Sequence, residues 1–141
     1  MQGFEFCCPT KIVCGAHALD KLPDEVADRG MKHPLVMTDA GLVKLGVAAK
    51  LTGVLDAADV PYEVFDQVPP DSSMDVVNEV ARLYAERGCD GFVAIGGGSV
   101  IDTTKGAAAS LACEGVDFAT LQGSEILQGS LPPLVAIPTT A

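Results

Sequence analysis

Tryptophan is absent from the 141-residue sequence, and basic residues are few. Nine Lys and Arg stand against 19 Asp and Glu, so the formal net charge at pH 7 is −10. A nucleic-acid-binding protein needs a basic surface, and so does a protein that attaches to anionic lipid headgroups. We therefore expect neither a nucleic acid nor a membrane among the partners of this chain.

Long apolar runs are also lacking, and the first residues do not form a basic-then-apolar signal peptide. The sequence has no C-x-x-C pair, and its five cysteines are an odd number. Neither a zinc ribbon nor a disulfide framework is therefore indicated. We expect reduced, partly buried thiols in a cytoplasmic protein, and no activating base near them that would indicate a catalytic thiol.

The most informative stretch present combines an apolar segment, three glycines and a helical pattern. Phe92–Ile95 is apolar throughout, which predicts a strand buried on both faces of a parallel sheet. Gly96–Gly98 follow, and Ser99 is predicted to cap a helix, with Asp102 completing a capping box. The free N–H groups of such a helix start bind anions, and pyrophosphate is the natural occupant. A plain tight turn is the alternative, because neither G-x-G-x-x-G nor the P-loop motif is matched.

Alternating strands and helices are predicted along the rest of the chain. Further strands are predicted over 35–38, 62–65 and 134–137, and an edge hairpin or two edge strands over 4–14. Helices are predicted over 16–29, over 41–58 with a break at Gly46, over 72–88 with Ser72 and Asp75 as a capping box, and briefly within 114–131. This order predicts an α/β fold with a doubly wound, mostly parallel sheet.

Polar or glycine-rich segments follow three of these strands. They are Asp39, Gly96–Ser99 and Pro138–Thr140. Ligands of doubly wound sheets bind beyond the carboxyl ends of the strands, at the point where the strand order reverses. The convergence of the three segments at one edge of the sheet is better evidence for a binding site than any one segment alone.

These residues together resemble the iron-containing (group III) alcohol dehydrogenase family. The resemblance covers essentially the whole chain and is carried by Ile95-Gly96-Gly97-Gly98-Ser99-x-x-Asp102, Ala136-Ile137-Pro138-Thr139-Thr140-Ala141, Val36-Met37-Thr38-Asp39 and Asp66-x-Val68-x-Pro70. It implies a Rossmann-like N-terminal domain that binds NAD(P) and an all-helical C-terminal domain that carries the metal. Residues 1–141 would be the N-terminal dinucleotide-binding domain, a fragment of a longer two-domain enzyme that interconverts alcohols and aldehydes or ketones.

The resemblance also implies roles for individual residues. Gly97, Gly98 and Ser99 would hold the pyrophosphate, Thr139 and Thr140 would line the cofactor cleft, Asp102 would lie near the nicotinamide, and Asp39 would meet the adenosine ribose. A carboxylate at the ribose accepts hydrogen bonds from the 2′-hydroxyl and repels a 2′-phosphate, so NAD is expected rather than NADP. The alternatives are a helix cap for Asp39 and ordinary loop hydroxyls for the two threonines.

Two departures from the family pattern limit what this chain is expected to do alone. Pro70-Asp71-Ser72 stands where the family often has Pro-Asn-Pro, and the family's metal ligands are missing. The two histidines, His17 and His33, are not spaced for a metal site and are expected at the surface. We therefore expect no catalytic residue and no metal ligand in this chain, and no activity from it alone. Iron or another divalent metal would belong to the helical domain.

Other functions remain open from the sequence. Glycerol dehydrogenases and dehydroquinate synthases share the two-domain plan, and a stand-alone, non-catalytic nucleotide-binding module is the alternative from another class. A small-molecule alcohol or aldehyde is the expected substrate of the full enzyme. A homo-oligomer is expected as well, because an uncovered cleft face would expose apolar surface.

Overall fold

Four parallel strands form the centre of the protein. The computed structural model describes residues 3, 9–121, 123, 127 and 129–139. The strands are β1 (Leu35–Met37), β2 (Glu63–Phe65), β3 (Phe92–Gly96) and β4 (Leu134–Pro138), in the spatial order β2-β1-β3-β4. Every neighbouring pair is parallel, with Met37 opposite Phe65 on one side and Ala94 on the other. The predicted α/β fold is confirmed.

Helices cover both faces of this sheet. They are α1 (Leu22–Asp28), α2 (Ala40–Lys44), α3 (Val47–Ala57), α4 (Met74–Glu86) and α5 (Gly98–Ala112), with short 3₁₀ helices at Ala18–Lys21 and Phe118–Thr120. The predicted break at Gly46 is confirmed, because its φ of 72° separates α2 from α3. None of the helices in the described part of the chain is long and apolar enough to cross a membrane.

The alternation of side chains along β1 and β3 explains the two layers. Leu35 and Met37 pack with α4 and α5 on one face, whereas Val36 packs with α1 and α3 on the other. All five residues of β3 are buried. Each fully buried aliphatic or aromatic side chain contributes about 1.5–3 kcal/mol relative to exposure. The central strands are apolar at every position because both of their faces are covered.

The predicted capping box of α4 is wrong. Ser73, and not Ser72, caps α4, and its hydroxyl accepts a hydrogen bond from the Val76 N–H at 3.4 Å. Ser72 instead hydrogen-bonds to Thr103 of α5 at 2.8 Å, so a tertiary contact occupies the hydroxyl that the local pattern assigned to the cap.

The N-terminal segment does not extend the sheet where it is described. Residues 9–14 form no strand, so the predicted edge hairpin is wrong for this part, while residues 4–8 lie outside the described chain. Pro9 has no N–H to donate to a strand ladder. Lys11 pairs with Glu25 of α1, which fastens the segment to a helix.

Candidate functional site

The strand order reverses between β1 and β3. The chain passes from β1 to β2 on one side and then returns to β3 on the other side of β1. Thr38 and Asp39 follow β1, and Gly97 follows β3, so the two segments flank the same crevice. A crevice beyond the carboxyl ends of strands at such a reversal is the usual ligand site of an open parallel sheet.

The N-terminus of α5 opens into this crevice without a side-chain cap. Gly97 is the N-cap residue, and the first hydrogen bond of the helix runs from the Ile101 N–H to the Gly97 carbonyl at 3.2 Å. The N–H groups of Gly98, Ser99 and Val100 therefore have no acceptor within the helix. Together with the helix dipole they form an anion site.

The predicted capping box at this helix is wrong. Ser99 is the second residue of α5, and its hydroxyl donates to the carbonyl oxygen of Pro70. Glycine is an acceptable N-cap residue, so the helix begins two residues earlier than the serine predicted. Asp102 is exposed and lies one turn after Gly98, on the same side of the helix.

The glycines of the turn have different surroundings. A β-carbon at Gly96 would lie 2.5 Å from Cγ2 of Val100, so residue 96 is small because the helix packs against it. Among the described residues outside the backbone of α5, no atom would lie within 4 Å of a β-carbon at Gly98, and this residue is exposed. Open space therefore lies beside the N–H groups that have no acceptor within α5.

Asp39 caps the short helix α2. Its Oδ1 accepts a hydrogen bond from the Leu42 N–H at 3.0 Å, which is the alternative role that the sequence left open. A β-carbon at Gly41 would lie 2.9 Å from that oxygen, so a glycine there gives the carboxylate room. Oδ2 of Asp39 accepts no hydrogen bond from the described residues, so the cap leaves one carboxylate oxygen for a ligand.

Thr139 lies beside the glycine turn. Its N–H donates to the carbonyl of Gly96 at 3.0 Å, which continues the pairing of β4 with β3 by one residue. The residue is exposed. Thr140 lies outside the described part of the chain. The structure thus brings Asp39, Gly97, Gly98, Ser99 and Thr139 to the edge of one crevice.

Thr38 also lies at this edge, although it was not among the predicted site residues. The residue is 0% exposed, and its hydroxyl has no hydrogen-bond partner among the described residues. A buried hydroxyl without a partner is uncommon and destabilising. The signal in the sequence was a polar residue at the end of the apolar run Leu35–Met37, directly before Asp39.

The described cysteines differ in burial, and the buried one has a raised pKa. Burial raises the pKa of the Cys89 thiol to about 11, so this group stays protonated at neutral pH. Cys14 is exposed, which corrects the expectation that every thiol is partly buried.

Metal chemistry cannot be derived from this part of the chain either. Nδ1 of His17 lies 3.2 Å from Oδ2 of Asp20, and Nε2 of His33 lies 3.8 Å from Oε1 of Glu63. Across the described residues, no group of three or more His, Cys, Asp or Glu side chains could hold a metal ion. The residues present therefore do not fit the iron that the family resemblance implies, and we derive no catalytic step through a metal.

The family model for iron-containing alcohol dehydrogenase matches residues 9–141. The chain belongs to this family. It is 38% identical over 144 residues to a choline dehydrogenase of Bacillus subtilis, which covers all of this chain and 36% of the relative. It is similar in structure to the NADH-dependent butanol dehydrogenase A of Thermotoga maritima, with 26% identity, a TM-score of 0.88, and coverage of 99% of this chain and 35% of that one.

A further similar structure contains a cofactor. It is the sulfoacetaldehyde reductase of Bifidobacterium kashiwanohense in complex with NAD+, with 25% identity, a TM-score of 0.87, and coverage of 99% of this chain and 37% of that one. The chain spans about a third of the length of the curated relatives it matches. It is therefore comparable to one part of these oxidoreductases.

Proposed function

We propose that this chain is the NAD-binding domain of a metal-containing alcohol dehydrogenase. The observation that carries the proposal is the uncapped N-terminus of α5, which opens beside Gly98 at the reversal of the strand order. A dinucleotide pyrophosphate suits this position, because free N–H groups and the helix dipole both favour an anion. When bound, NAD accepts a hydride from the alcohol carbon.

The remaining roles are assigned to residues around the crevice. The N–H groups of Gly98 and Ser99 would hold the pyrophosphate, with Gly97 forming the turn that gives access to them. Oδ2 of Asp39 would accept hydrogen bonds from the adenosine ribose. Thr139 and Thr140 would line the cleft, and Asp102 would lie toward the nicotinamide. The family and the NAD+ complex of a similar protein support NAD as the cofactor.

The domain organisation is part of the same proposal. Residues 1–141 would be one domain of a cytoplasmic, homo-oligomeric enzyme whose second domain holds iron or another divalent metal. The relatives' greater length supports it, because this chain covers 36% of the choline dehydrogenase it matches. The substrate would be a small alcohol or aldehyde, in keeping with the relatives' names.

Calorimetric titration of NAD into residues 1–141 tests the proposal, with Gly98→Val as the decisive variant. A valine side chain would occupy the open space at Gly98, so we expect NAD binding to be lost. Gly53→Val is the matched control, because Gly53 is also an exposed helical glycine whose β-carbon would meet no atom within 4 Å. Both variants should have melting temperatures close to that of the wild type. NAD binding by Gly98→Val at wild-type affinity would refute the phosphate site.

A further inference from the structure

The loop between β2 and α4 is fastened to α5 at two points. The Ser99 hydroxyl donates to the carbonyl of Pro70, and Ser72 Oγ lies 2.8 Å from Oγ1 of Thr103. Ser99 and Thr103 are four residues apart and therefore share one face of the helix. Residues 70–72 thus lie along the first turns of α5, next to its free N–H groups. We call these two contacts the loop latch.

The latch determines which hydrogen bond the Ser99 hydroxyl can donate. A serine hydroxyl has one hydrogen to donate. In this structure that hydrogen goes to the Pro70 carbonyl. A pyrophosphate oxygen at neutral pH accepts hydrogen bonds and does not donate them. The Ser99 side chain therefore has no hydrogen for the phosphate while the latch is closed, although its backbone N–H remains available.

The latched loop also borders the crevice. The Val68 N–H donates to the Thr38 carbonyl at 3.4 Å, so the loop crosses the end of β1 on its way to α5. Pro69 and Pro70 have fixed φ angles, so the chain between this contact and the latch has little conformational freedom. Asp39, the N-cap of α2, directly follows Thr38, so the loop and Asp39 lie at the same end of β1.

We infer that Ser99 is a positioning residue, which acts through Pro70 to hold residues 70–72 as one wall of the cofactor crevice. The inference rests on the proposed NAD site. Thr103 is the second anchor, and it is 0% exposed, so it acts without reaching the cofactor. Ordering this wall before binding favours affinity, because the bound complex then loses less conformational freedom.

Two substitutions open the latch, and two are controls. Ser99→Ala and Thr103→Val each remove one hydroxyl, whereas Thr103→Ser keeps the hydroxyl of the second anchor. Thr104→Val is the matched control, because Thr104 is equally buried and its hydroxyl bonds to the Val100 carbonyl at 2.7 Å, within α5. Each protein is studied by amide hydrogen exchange without ligand and by calorimetric titration with NAD.

An operating latch predicts faster exchange of the Val68 amide, the buried loop amide that donates to Thr38, in Ser99→Ala and Thr103→Val. It also predicts NAD affinity weaker by roughly threefold to tenfold in each. The double variant should lose less than the product of the two factors, because both substitutions release the same loop. Thr103→Ser and Thr104→Val should match the wild type in both measurements.

The opposite result is equally defined. If Ser99→Ala weakens NAD binding while Thr103→Val behaves as the wild type in exchange and affinity, Ser99 contacts the phosphate directly and the inference is wrong. If the wild type binds no NAD, the proposed function fails. Exchange alone then decides the latch: faster exchange of the Val68 amide in both variants supports it, and unchanged exchange overturns it.

Discussion

Gly96 and Val100 are packed so closely that a β-carbon at position 96 would lie 2.5 Å from Cγ2 of the valine. Val100 is 2% exposed and belongs to the core between the sheet and α5. Neither residue can move far without disturbing this core. The first glycine of the turn therefore serves packing, whereas Gly98 has no such neighbour among the described residues.

We predict that Gly96→Ala destabilises the protein by about 1–3 kcal/mol, as overpacking of a core does. Gly98→Ala should be neutral or stabilising, because its β-carbon meets no atom within 4 Å and alanine favours a helix over glycine. Urea denaturation of both variants measures the difference. Equal stability of the two variants would contradict the packing role of Gly96.

The strands and layers could be predicted because their cause lies in the sequence. Phe92–Ile95 is apolar at every position, and this short run directly before three glycines is typical of a strand covered on both faces. The cap at Asp39 was also foreseeable as an alternative, since its partner Leu42 is three residues away. Contacts between residues near each other in the sequence leave a local pattern.

The latch could not be predicted in this way. Ser99 and Pro70 are 29 residues apart, and Ser72 and Thr103 are 31 apart. At both helix starts, two neighbouring or nearby residues were suitable caps, and the tertiary contact decided which one became the cap. A local rule cannot distinguish Ser72 from Ser73, and it prefers Ser99 to Gly97, whereas in the fold Ser73 and Gly97 are the N-cap residues.

Glu25 is expected to make the stability of the protein depend on pH. Its side chain is 12% exposed and accepts hydrogen bonds from Lys11 and, at 2.6 Å, from Arg29. The hydrogen bond from Lys11, followed by that from Arg29, lowers the pKa of this carboxyl below its usual value. The ionised form is thus favoured in the folded state, so the stabilisation is present above the unfolded pKa and is lost as the pH falls through the folded one.

Thermal melts of Glu25→Gln and the wild type between pH 7 and pH 3 test this dependence. We expect the variant to melt lower at pH 7 and the gap to close as the pH falls below the ordinary glutamate pKa of about 4.3. Glu79→Gln is the control for loss of a carboxylate, because Glu79 is an exposed glutamate of α4 and its replacement should change the melting temperature at pH 7 less than Glu25→Gln does. A gap for Glu25→Gln that stays constant across this range would show that the carboxyl is not perturbed.

The two oxygens of Asp39 allow its cap to be separated from its charge. Asparagine caps a helix about as well as aspartate, so Asp39→Asn should keep the hydrogen bond from Leu42 and the wild-type stability. It removes the negative charge that would face a 2′-phosphate. We expect the preference of residues 1–141 for NAD over NADP to shrink by roughly tenfold, chiefly through better NADP binding. Asp39→Ala is the companion variant, which loses both functions and should also lose about 1 kcal/mol of stability. Calorimetric titrations with NAD and NADP, beside urea denaturation, measure the two effects. If Asp39→Asn kept the wild-type ratio of the two affinities, Asp39 would be a helix cap and nothing more.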